Sequence, residues 1–275
     1  MDYQHYLGKT QAITDLIDET LVRRMGATLS MPAPAAGEAL PLLWHWMFFQ
    51  LELTADKLGR DGHPALGEFL PKVTGRNRMW AGGRLEFVSP LIVGKLAKCI
   101  TTIHKISEKT GSTGKLLFVT LQHRYYQHKG GQETLCLTEY QDIVYREPTA
   151  PKLTSHCAPE PEWQNTLIPN ETLLFRYSGL TFNGHRIHYD YQYVTDVEGY
   201  QGLVVHGPLM ATLALHGFIH AHPDKQVLGF EFKGVRATCV PNAIKIAGRL
   251  QVDKAEVWIA NEQGMIQSGL VHYTS

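Results

Sequence analysis

No stretch of this chain approaches the roughly 18 consecutive apolar residues that a membrane-spanning helix needs, so no span is expected. The N-terminal segment MDYQHYLGKTQAITDLIDE carries acids and no apolar run, and is not expected to serve as a secretory signal. Charge of one sign is also missing: 26 Lys and Arg balance 26 Asp and Glu. A neutral chain offers no field that recommends nucleic acid or a membrane surface as partner. Cysteine is sparse. Cys99, Cys136, Cys157 and Cys239 are scattered, with no CxxC pair. That argues against a disulfide frame or a zinc site and for reduced thiols in a cytoplasmic protein. What is present, 44% hydrophobic residues in a chain of 275, can fill one large core or two medium ones.

Apolar periodicity predicts a first helix over about Gln11 to Arg24, with Ile13, Leu16, Ile17 and Leu21 on one face. LLWHWMFFQL, Leu42 to Leu51, is apolar on nearly every side and reads as a buried helix or strand. Gly59, Gly62, Pro64, Gly67 and Pro71 mark a long irregular connection. From Arg84 the period becomes two, and RLEFVSPLIVG, KLAKCITTIHKISEK, KLLFVTLQHRYYQH and ETLCLTEYQDIVYRE read as antiparallel strands joined by glycine turns. A proline-rich segment, Glu147 to Trp163, reads as a linker. The second half repeats the plan: a helix over Gly207 to Ile219, then strands near VLGFEFKGVRATC, AIKIAGRLQVD, EVWIANEQG and MIQSGLVHYT. Phe87–Lys98 can be laid over Val235–Ile246 at an offset of 148. The expectation is an α+β double hotdog, two copies of an antiparallel sheet wrapped around a central apolar helix, divided at residues 1–150 and 151–275.

The chemistry-bearing stretch is RYSGLTFNGHRIHYD, Arg176 to Asp190, where groups that handle protons stand among aromatic and aliphatic residues. Polar groups in apolar surroundings cost free energy unless they are paired or used. His188 lies five residues after Asn183, with His185 between them. A histidine with a pKa near 6.5 suits proton transfer at neutral pH. Further on, Gly207-Pro208 opens the second helix, glycine at the N-cap and proline at the first helical position. The amide of Gly207 would then stand unshielded at the positive end of a helix dipole, a fitting place for an oxygen that gains charge. His185 and His188 share HxxH spacing, but no third donor is evident nearby, so no metal is expected. His206 is expected to brace the turn before the helix.

Asn183 to His188 followed by Gly202 to Leu209 resembles the hydratase motif of MaoC-like (R)-specific enoyl-CoA hydratases. His188 matches that family's catalytic histidine and Gly207 the glycine whose amide holds the thioester carbonyl. Asn183 stands where the general family has an aspartate, and an amide cannot accept a proton as a carboxylate does. The form FNGHRIHYD with EGYQGLVVHGP, together with LPLLWHWMFF, MWAGGRLEF and TEYQDIVYRE, is similar to a branch containing mesaconyl-C4-CoA and itaconyl-CoA hydratases and mitochondrial-type hydroxyacyl-thioester dehydratases. That branch carries asparagine at the position of Asn183.

The resemblance implies that His188 activates a water that adds to C3 of an α,β-unsaturated acyl-CoA, with Asn183 orienting water or ring and Gly207 holding the enolate oxygen. It implies no metal and no redox cofactor. Itaconyl-CoA, giving citramalyl-CoA, is the first substrate expected, ahead of mesaconyl-C4-CoA and longer 3-hydroxyacyl thioesters. A hotdog thioesterase and a non-catalytic acyl-thioester-binding protein are the rival classes. The N-terminal half has no second copy of the motif and is expected to supply a wall of the substrate tunnel. A dicarboxylic acyl group needs a cation, for which Arg84, Arg186 and Arg236 are candidates. An internal pair of hotdogs meets the need for a dimer, and further self-association stays open.

Overall fold

The computed structural model describes residues 3–73, 75–111, 114–147 and 156–274. Ten strands form one antiparallel sheet in the order β1-β3-β4-β5-β2-β7-β10-β9-β8-β6. The first half contributes β1 (Thr10–Leu16), β2 (Asn77–Phe87), β3 (Leu96–Gly111), β4 (Gly114–Lys129) and β5 (Gln132–Arg146). The second contributes β6 (Trp163–Leu167), β7 (Gln226–Gly234), β8 (Ile244–Leu250), β9 (Lys254–Asn261) and β10 (Gly264–Thr274). The halves are stitched through β2 and β7, whose register runs from Gly82↔Lys233 to Glu86↔Gly229. Leu96 and Ile244, which open β3 and β8, stand at the offset of 148 seen in the sequence.

Among the described residues, the α-helices that accompany the sheet are α1 (Glu19–Leu29), α2 (Glu171–Leu180), α3 (Tyr191–Asp196) and α4 (Gly207–Ala221). Helix α4 is apolar nearly all round, and Leu209, Ala211, Leu215 and Phe218 are fully buried beneath the second half's strands. This is the α+β double-hotdog fold that the sequence predicts, with the central helix present in the second half. One core runs through both halves, from Trp44, Leu85 and Tyr125 to Leu215, Phe230 and Val257. His216 of α4 ties them further, with Nε2 donating to the Leu42 carbonyl at 2.8 Å.

Three elements depart from expectation. The helix expected over Gln11 to Arg24 is strand β1 followed by α1. Residues 10–16 pair with β3, and Asp18 caps α1 by accepting from the Leu21 amide at 2.9 Å. The β-branched Thr10, Ile13 and Thr14 suit a strand, and the apolar residues served both periods. Among the described residues, the first half also has no central helix. In its place WHWM forms a buried 3₁₀ turn, Trp44–Met47. Leu43 and Phe49 flank it with left-handed φ of 69° and 62°, and aromatic residues are weak helix formers. Finally, α4 is capped by His206, which makes Gly207 the first helical residue and Pro208 the second. The linker expected over Glu147 to Trp163 lies partly outside the described residues. Its end is docked, since the Met265 amide donates to the His156 carbonyl at 2.8 Å and the Glu162 amide to Gly248 at 2.9 Å.

Candidate active site

The quoted stretch folds as α2, a turn, and a short 3₁₀ segment, Arg186–His188, that leads into α3. Val204, in the approach to α4, clamps this segment from both sides. Its amide donates to the Ile187 carbonyl at 3.0 Å, and its carbonyl accepts from His188 Nδ1 at 2.7 Å. A carbonyl only accepts, so His188 must be the Nδ1–H tautomer. Nε2 is thereby left with its lone pair, the state a general base requires. His188 is 7% exposed. Burial, partly offset by the Val204 bond, pushes its pKa down from 6.5 to about 4.

His206 stacks on His188 with ring centroids 3.6 Å apart and planes 17° from parallel. Its Nε2 meets Ser178 Oγ of α2 at 2.8 Å. His206 is fully buried, and burial with His188 and His185 as neighbours holds it well below its ordinary pKa. It is a neutral plate that fixes the plane of the His188 ring. His185 lies edge-on to His188 at 5.5 Å, and burial first, then His63 and His188, push its pKa to about 2.

Asn183 sits in the turn before His185, and its Oδ1 accepts from the His185 amide at 3.0 Å. That oxygen shapes the turn, an Asx arrangement, whatever else the amide does. The Gly207 carbonyl accepts from Gln267 Nε2 at 3.0 Å. Gly207 has no intrahelical partner for its amide because it lies in the first turn. A Cβ placed there would meet no heavy atom of the surrounding chain within 4 Å, so there is open space beside its Cα.

Asp61 and His63 come from the long irregular connection, where no sequence motif marks them. His63 Nδ1 donates to Asp61 Oδ2 at 3.0 Å, and the His63 ring lies 4.1 Å from that of His185. Donor atoms of Asp61, His63 and His185 fall within 4.8 Å of one another. The expectation that no third donor accompanies the HxxH pair is thus corrected: two donors arrive from over a hundred residues away, and they meet His185 rather than His188. The positive charge of Arg78 is felt at all three and lowers their pKa values, which opposes a dication there. The signal available in the sequence was two ionisable residues inside a Gly- and Pro-rich connection too long to be a mere turn.

The three arginines are already engaged. Arg84 alternates with core residue Leu85, so it points to the outer face of the sheet, where it pairs with Asp142 at 2.7 Å. Arg186 binds Asp190 twice, at 2.9 and 2.8 Å, donates to the Arg60 carbonyl, and lies 4.1 Å over the Tyr193 ring. Arg236 donates to Asn261, Gln263 and the Gly264 carbonyl.

Buried neutral histidines predict an acid-labile fold. His188, His206, His185 and His216 all have pKa values lowered by burial. The unfolded chain binds protons at an ordinary 6.5, so their contribution to stability is full above pH 6.5 and is lost as pH falls towards the folded values. Urea melts at pH 7 and pH 5 should show a lower midpoint at pH 5. Any reaction that uses His188 Nε2 as base should keep its rate down to about pH 5 and lose it through about pH 4.

Residues 43–240 match the family model for hydroxyacyl-thioester dehydratase type 2. The chain is 42% identical to the mesaconyl-C4-CoA hydratase of Chloroflexus aurantiacus over 238 residues, 84% of this chain and 83% of that protein. It is 29% identical to the mitochondrial hydroxyacyl-thioester dehydratase type 2 of Schizosaccharomyces pombe, over 88% of this chain and 92% of that protein. Among solved structures, a MaoC-like dehydratase superposes with a TM-score of 0.73 over 98% of this chain and 99% of that one, at 13% identity. HtdX of Mycobacterium tuberculosis superposes at 0.68, over 96% and 99%, also at 13% identity.

Proposed function

The chain belongs to the MaoC-like hydroxyacyl-thioester dehydratase type 2 family and is a hydro-lyase, and from that premise we propose that it hydrates a small dicarboxylyl-CoA thioester with His188 as base. The observation that carries the proposal is the His188 Nδ1–H···O Val204 bond, which leaves Nε2 bare on a ring stacked against the residue that caps α4. In this reading Nε2 takes a proton from water as oxygen bonds to C3. The electron pair of the double bond shifts towards the thioester oxygen, which the Gly207 amide stabilises at the positive end of α4. The proton then returns to C2. Asn183 holds the turn that presents His185 and His188. The division into residues 1–150 and 151–275, with the first part forming a wall of the acyl site, belongs to the same proposal. It is supported by the entry of Asp61 and His63 from the first half.

Mesaconyl-C4-CoA moves ahead of itaconyl-CoA as the substrate. The relative at 42% identity carries that name. The chemistry agrees, since in the mesaconyl thioester the double bond is conjugated with the carbonyl, and attack at C3 delivers charge to the thioester oxygen. In the itaconyl isomer with its thioester at the same carboxyl, the double bond lies one carbon further off, out of conjugation. Arg78, whose charge is felt at Asp61, His63 and His185, is the cation we assign to the free carboxylate.

Mass-spectrometric assay against mesaconyl-C4-CoA, itaconyl-CoA and crotonyl-CoA tests this, with a gain of one water expected, fastest on the first. Release of free CoA without hydrated product would sink the hydratase assignment. Arg78→Ala should raise KM for mesaconyl-C4-CoA about tenfold or more, the worth of one charge-assisted hydrogen bond, and leave that for crotonyl-CoA within about threefold. Equal effects on both would remove Arg78 from carboxylate recognition.

A further inference from the structure

Addition of water needs more than a base. The nucleophile has two hydrogens, and only the one on the base is controlled by His188. Asn183 Oδ1 already gives one of its two lone pairs to the His185 amide. A second acceptor stands on the far side of the His185 ring. Asp61 Oδ2 accepts from His63 Nδ1 at 3.0 Å, and Asp61 Oδ1 accepts from the His63 amide at 3.1 Å. Burial alone would raise the Asp61 pKa, but its bonds to His63 and the charges of His63 and Arg78 hold it well below the carboxylate range. An ionised Asp61 only accepts, so His63 is the Nδ1–H tautomer and its Nε2 is bare, as in His188.

The loop that carries the pair is built to approach the catalytic turn closely. Gly62, at φ +84°, packs against Gly184, and a Cβ on Gly62 would overlap the Gly184 carbonyl oxygen. The Arg186 amide donates to the Asp61 carbonyl at 2.9 Å, and Arg186 Nη1 to the Arg60 carbonyl at 3.0 Å. His63, His185 and His188 thus stand as neighbouring rings, 4.1 Å and then 5.5 Å apart. The charged and titratable groups around His63 are Asp61, Arg78, His185 and His188.

We propose that His63, oriented by Asp61, is a second catalytic residue: its Nε2 accepts the second hydrogen of the water that His188 deprotonates. The proposal rests on the hydratase reading above. His63 makes a hydrogen bond and gains no proton. One water O–H breaks towards His188 Nε2, the O–C3 bond forms, and the same proton leaves His188 for C2 as the enolate collapses.

The test compares wild type with His63→Ala, His63→Gln and Asp61→Asn on whichever enoyl-CoA the wild type hydrates. His63→Ala should lower kcat about a hundredfold with KM within about threefold, the lower range for a positioned proton-handling group. Added imidazole should restore part of that rate, and His63→Gln, which offers an acceptor oxygen, should exceed His63→Ala. A purely structural residue would show neither rescue. A kcat for His63→Ala within threefold of wild type overturns the proposal. So does stoichiometric bound metal whose chelation abolishes wild-type turnover, the result expected if Asp61, His63 and His185 were ligands. Should His63→Ala fail to fold, Asp61→Asn is read in its place, with the same hundredfold expected and a kcat within threefold again overturning it. If the wild type hydrates nothing, the functional reading falls, and the tautomer decides the inference separately: long-range ¹H–¹⁵N spectra must show His63 protonated at Nδ1, and an Nε2–H form overturns it.

Discussion

His188→Ala is expected to lower kcat about a thousandfold while leaving the fold intact, a loss of about 4 kcal/mol of transition-state stabilisation. Three of its neighbours cannot take over. The Nε2 of His206 is occupied by Ser178, and burial lowers the His206 pKa well below its ordinary value. His185 has its pKa at about 2 and is too weak a base to draw a proton from water. Asn183 carries an amide. The structural cost is limited to the bond to the Val204 carbonyl and the stacking on His206. Thermal melts of wild type and variant should therefore lie within a few degrees, and steady-state assays should separate them completely. A rate within threefold of wild type would show that another group is the base.

Glu139→Ala should have the largest effect on stability, about 4 kcal/mol. Glu139 is fully buried in the first half. It accepts from His45 Nε2 at 3.1 Å, Trp46 Nε1 at 2.9 Å, Tyr125 OH at 3.0 Å and Gln141 Nε2 at 2.9 Å. Burial by itself would raise the carboxyl pKa, yet His45, His123 and Gln141 outweigh it and hold it at about 2. The carboxylate is what anchors the Trp44–Met47 turn where a central helix is missing. Its loss leaves buried donors with no acceptor, each worth about 1–3 kcal/mol and not additive, and breaking a buried charged network costs about 3–5 kcal/mol. Urea unfolding at pH 7 measures the difference. Glu139→Gln should fall between, because its oxygen still accepts while its NH₂ faces other donors. A midpoint unchanged in Glu139→Ala would mean that water satisfies the four donors and that the carboxylate is dispensable.

The sequence by itself determined most of the strand series and α4, because each rests on short-range pattern: alternation with period two, and an apolar run behind Gly-Pro. It misjudged residues 11–24 because Ile13, Leu16, Ile17 and Leu21 fit a helix as well as a strand and bend, and only pairing with β3 decides between them. Glu139 looks like an outward polar residue in an alternating strand, since nothing local shows that His45 and Trp46 will reach it across more than ninety residues. The cluster of proton-handling groups from Asn183 to His188 is visible in the sequence, but the Val204 carbonyl that sets the His188 tautomer and the His206 ring that fixes its plane depend on how three segments meet. Asp61 and His63 are the extreme case. Their chemistry is visible in the sequence, but their place beside His185 exists only because a loop of one half closes, glycine against glycine, on the turn of the other.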